Sequence, residues 1–70
     1  MMSQIVKASQ TAISETGTIL RRGLQYYLWG KGLMPRPGTD NWKFQRHCNH
    51  LIKNYGWKKC TEKNTTYFKI

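Results

Sequence analysis

DNWKFQRHCNHLIKNYG, residues 40–56, is the stretch on which the fold turns. Phe44, Cys48, Leu51, Ile52 and Tyr55 fall at i, i+4, i+7, i+8 and i+11, an apolar stripe with the 3.6-residue period of a helix. Lys43, Arg46, His47, His50, Lys53 and Asn54 take the opposite side. Thr39 or Asp40 is placed to cap this helix at its start, and Gly56 stands where a left-handed residue ends one. The pattern predicts a helix over about 40–55, with one side for a core and the other for solvent or a phosphate.

Downstream, WKKCTEKNTTYFKI (residues 57–70) changes to β-prone residues around a polar turn at Glu62-Lys63-Asn64-Thr65. Pairing Thr61 with Thr66 puts Trp57, Phe68 and Ile70 on one face and Lys58, Cys60, Tyr67 and Lys69 on the other. A slip of one residue would bury lysines, so that register is the expected one. Upstream, a helix is expected over about 4–15, after Ser3 as N-cap, with Ile5, Ala8 and Ala12 on one face and Val6 and Ile13 beside it. Thr16-Gly17-Thr18 reads as a stop, a turn and a new cap, followed by a helix over about 19–29 with Leu20, Leu24, Tyr27 and Leu28 buried. Gly23 costs that helix about 1 kcal/mol relative to Ala, which suggests a close approach there. Pro35 and Pro37 force the link from Leu33 to Gly38 to be extended or turning.

Seventy residues suffice for a single domain, taken here as 1–70. Three helices followed by a C-terminal β-hairpin give an α+β fold class and predict a small winged-helix-like domain. The net charge is +9, from twelve Lys and Arg against three Asp and Glu, and Lys7 is the one base in the first twenty residues. A charge that large on so short a chain repels itself, and an anionic partner offsets the cost. Nucleic acid is the expected partner, duplex DNA before RNA, without a membrane partner. The N-terminal helices, the first of them neutral, are the place for a protein partner. The expected phosphate neighbours are Lys43, Arg46, His50, Lys53, Lys58, Lys63 and Lys69. Arg46 and Asn49 are candidate base readers, since Arg grips guanine and Asn adenine in the major groove. Tyr67, facing outward, is the candidate for stacking on a base.

Catalytic chemistry finds little support. Glu15, Asp40 and Glu62 are scattered, so paired carboxylates for acid–base work are absent, and no Walker pattern occurs. His47, Cys48, His50 and Cys60 lack the C-x-x-C spacing of a zinc site, and adjacent helical side chains point about 100° apart. No enzyme activity, cofactor or metal is expected, and Cys48 and Cys60 are expected as reduced thiols, with a single bridge as the alternative. No apolar run reaches the ~20 residues that span a bilayer, and no secretory signal is expected. A cytoplasmic, nucleoid-associated location follows. The Ser/Thr-rich, acid-poor start with Arg21-Arg22 makes a mitochondrial location the alternative.

Leu51–Ile70 resembles the helix, Gly-Trp, strand, turn, strand stretch of HicA-type RNA-cleaving toxins. That family's catalytic histidine lies on the second strand, where this chain has Thr65-Thr66, so the resemblance does not carry the activity over. The expected function is duplex DNA binding, as a transcriptional regulator or recombination accessory factor of a phage or other mobile element. The alternatives are RNA binding, a structural role in a ribosomal or mitochondrial assembly, and a viral inhibitor of an acidic host protein.

Overall fold

The structure is a computed structural model and describes residues 3–70. In chain order it consists of α1 (Gln4–Ser14), β1 (Thr18–Leu20), α2 (Arg21–Gly30), α3 (Asn41–Tyr55), β2 (Lys58–Glu62) and β3 (Thr65–Lys69). This is a small α+β arrangement of three helices and one antiparallel sheet, with strand order β1-β3-β2.

α1 starts where Ser3 Oγ accepts from the Val6 N–H, which satisfies one of the orphan donors of the first turn. Its inward face is Val6, Ser9 and Ile13, with Ile5, Ala8 and Ala12 partly buried beside them. The expected stripe is therefore rotated by about one residue, and it brings a serine into the core.

The hairpin forms in the expected register, with Thr61 opposite Thr66 and Cys60 opposite Tyr67. Its loop is tighter than the four-residue turn the sequence suggests. Only Lys63 (φ 49°) and Asn64 (φ 66°) leave the ladder, and two left-handed central residues are the mark of a type I′ turn. A hairpin alone is not the whole sheet. β3 offers its other edge to Thr18–Leu20, with Ile19 opposite Phe68, and the Ile70 N–H donates to the Gly17 carbonyl at 3.1 Å.

This third strand corrects the expected helix over 19–29, because Ile19 and Leu20 belong to β1 and the helix begins at Arg21. Thr18 opens the strand rather than capping a helix, and Leu20 is 52% exposed instead of buried. The physical reason is pairing. Edge groups of β3 need partners, and Thr18 and Ile19, both β-branched, favour strand over helix. Nor does Gly23 mark a close approach: an added Cβ would meet Leu20 Cβ at 3.6 Å, which is ordinary contact.

Leu24, Leu28, Phe44, Cys48, Leu51, Trp57 and Phe68 close the core with Val6 and Ile13, and Met34 from the α2–α3 link plugs one side. Trp57 and Phe68 rings meet at 5.7 Å between centroids. Gly56 ends α3 in the left-handed region (φ 72°), as its position implies. Asp40 is the N-cap residue of α3, yet it is itself left-handed and its side chain does not cap the helix. Among the described residues no helix is long and apolar enough to cross a membrane.

Candidate nucleic-acid interface

α3 carries no carboxylate, and Trp42, Lys43, Arg46, Asn49, His50, Lys53 and Asn54 are all exposed. At 100° per residue, Trp42, Arg46, Asn49 and Lys53 (i, i+4, i+7, i+11) form one outward row. Lys43, His50 and Asn54 form a second row beside it. Lys43, Arg46 and His50 line a groove shared with Ser3 and Ile5 of the α1 end, so three of the expected residues meet there.

Asn49 has a side-chain partner on its own helix. Arg21 Nη2–H donates to Gln45 Oε1 at 2.9 Å, and Gln45 Nε2–H donates to Asn49 Oδ1 at 3.0 Å. The Arg21 guanidinium also lies 4.9 Å from the centre of the Phe44 ring. A relay from α2 thus reaches the carboxamide of the candidate base reader through its Oδ1. His50 is held in turn by Asn54 Nδ2–H, 3.0 Å from its Nδ1, and by an edge contact with the Tyr55 ring.

His47 was expected on the outward side and is in fact buried at 8% exposure. Ser9 Oγ–H donates to the Ile5 carbonyl at 2.8 Å, which uses its only proton. The 2.9 Å contact between Ser9 Oγ and His47 Nε2 must therefore be an Nε2–H donating to the serine. Burial, aided by the nearby His50, pushes the imidazole down to about 4, so it is neutral at pH 7. Serine beside histidine is not a nucleophilic pair here, since Ser9 is fully buried and its proton faces a carbonyl.

The hairpin residues separate into two places. Lys58 and Lys69 are directly opposite each other at the open end, both exposed. Lys63 is at the turn, about 16 Å away along the strand at ~3.3 Å per residue. Tyr67 is half-buried rather than fully outward, and hydrogen bonding with its cross-strand neighbour Cys60 raises its pKa above the ordinary value. Cys48 and Cys60 are both free thiols. Burial pushes the Cys48 thiol up to about 11, against the opposing pull of Arg21 and Lys59, so it is an inert core residue. No three of the His, Cys, Asp and Glu side chains among the described residues come together to hold a metal.

Trp42 is the functional candidate that charge counting misses. It is 70% exposed on the first turn of α3, one turn before Arg46. The available signal was its place in the helix: position 42 lies well off the Phe44–Cys48 stripe. No protein-family model, curated protein or solved structure matches the chain.

Proposed function

We propose that this protein binds nucleic acid as a winged helix, with α3 in the major groove of duplex DNA and the β2–β3 hairpin against the backbone. The observation that carries the reading is α3 itself. Fifteen residues without a carboxylate hold three basic side chains and Asn49 on an exposed side, while the other side is sunk in the core. The order α1-β1-α2-α3-β2-β3 supports it by analogy of fold, since a hairpin follows the helix that would read the groove.

Two local costs support the same reading. Like charges directly opposite on an antiparallel pair repel, as Lys58 and Lys69 do, and a polyanion relieves that repulsion. Lys63 occupies a left-handed turn position that Asn or Gly would fill with less strain, which places a cation at the hairpin tip. Regulation of transcription or assistance in recombination is the role this binding would serve.

A salt titration of binding to duplex DNA, single strands and duplex RNA tests the proposal. Duplex DNA is expected to bind tightest, with log K falling in proportion to log salt at about −0.9 per phosphate contacted. Arg46→Ala with Lys53→Ala should weaken binding by about tenfold or more and leave the fold intact. Unchanged affinity in that variant removes α3 as the contact.

A second reading rests on Tyr26 and Trp29, 44% and 42% exposed and in edge contact on α2: a protein interface within a larger assembly. A solution mass discriminates: a folded monomer favours the first reading, and an unfolded or aggregating free chain favours the second.

A further inference from the structure

Two surface grooves meet at the start of α2, and the same two side chains line both. Arg21 and Arg22 border one groove with Gln25, Pro37, Gly38 and Asn41, at the first turn of α3. They border the other with Leu20, Asn64, Thr65 and Thr66, at the hairpin turn. No carboxylate lines either groove. Arg21 is held by a neutral amide and an aromatic face, and Arg22 lies 5.7 Å from the centre of the Tyr26 ring, so neither cation is neutralised by these contacts.

The neighbouring groups suit an anion. Gln25, 7% exposed, donates from Nε2 to Asn41 Oδ1 at 3.3 Å at the base of the first groove, and the Gly38 N–H also points to that oxygen. Both helices begin here without a side-chain cap and without an acidic residue in the first turn. The positive dipole end of α2 therefore adds to the field of the two arginines, whereas at α3 the Lys43 N–H is taken by the Asp40 carbonyl at 3.1 Å and the Asp40 carboxylate stands at the N-cap. Thr65 and Thr66 add hydroxyl donors on the hairpin side.

We propose that Arg21 and Arg22 form a phosphodiester anchor, which grips the sugar–phosphate backbone where it crosses between the hairpin turn and the first turn of α3. The inference rests on the nucleic-acid reading and adds a contact outside the α3 row. Because it touches backbone only, it contributes affinity without sequence preference, whereas the α3 row would read bases.

Arg22→Gln is the test, since this side chain is exposed and its removal leaves the core untouched. Lys7→Gln on α1, remote from both grooves, controls for the loss of one charge. Anisotropy with two unrelated duplexes across a salt series should show Arg22→Gln weakening both equally, by roughly five- to tenfold, with a slope shallower by about 0.9. Lys7→Gln should match the parent chain. Equal affinity and slope for Arg22→Gln and Lys7→Gln overturn the anchor. If Arg46→Ala with Lys53→Ala still weakens binding, the α3 reading survives that result. Absence of binding by the parent chain to any nucleic acid at low salt overturns both.

Discussion

The two sides of α3 share a backbone and differ in almost everything else. One side places Phe44, His47, Cys48 and Leu51 at 8% exposure or less, and each is fixed by neighbours from other elements. The other side places Trp42, Arg46, Asn49 and Lys53 in solvent, where only Asn49 has a side-chain partner. The difference teaches where a substitution acts. Changes on the first side act on folding. Changes on the second leave the fold alone and act on whatever the helix touches.

Phe44→Ala should break the first side most. It removes a fully buried ring and the platform under Arg21, and the loss is expected at about 3–5 kcal/mol, read by urea unfolding. In a chain this small that is most of the available stability.

The pH dependence of stability is the next largest effect. His47 titrates near 4 in the folded chain and near 6.5 when unfolded. Above pH 6.5 both states hold a neutral ring. As pH falls from 6.5 toward 4, the unfolded chain takes up a proton that the folded chain refuses, so stability falls. The loss amounts to up to about 3 kcal/mol. Unfolding measured at pH 7 and pH 4 should show this drop in the parent chain and a flatter profile in His47→Gln.

The smallest effect on stability belongs to the second side. Trp42→Ser should shift unfolding by no more than about 0.5 kcal/mol, because the ring is 70% exposed. The same variant should lose most of the tryptophan fluorescence change that accompanies duplex binding, since Trp57 is buried and Trp29, although 42% exposed, lies at the far end of α2 from the proposed contacts. A stability loss comparable to that of Phe44→Ala would show that the two sides are not separable.

α3 and the hairpin were legible because each follows a short-range rule. The stripe from Phe44 to Tyr55 repeats at the helical period, and the register of Trp57–Ile70 follows from putting Trp57 and Phe68 on one face, although Lys59 shares that face opposite Phe68 and Ile70 is 55% exposed. His47 sits at i+3 from Phe44 and one turn before Leu51, so its burial could have been read from the same stripe. Its polarity hid it, because the partner that satisfies it, Ser9, is thirty-eight residues away. The expected basic cluster was less legible still. Lys58, Lys63 and Lys69 look adjacent in composition, yet an extended hairpin carries the first and last to one end and the middle one to the other.

By itself, the sequence determined the excess of positive charge, the amphipathic α3 with its glycine stop, and the hairpin pairing. These depend on side-chain type and local period, which are properties of short segments. Tertiary structure alone decided that Thr18–Leu20 is a strand, that His47 and Ser9 satisfy each other in the core, and that Arg21 and Arg22 stand between the hairpin turn and α3. Each of these comes from a contact between segments far apart in the chain. A three-residue strand takes its conformation from the edge it pairs with, and a buried polar group is stable only where another element brings it a partner.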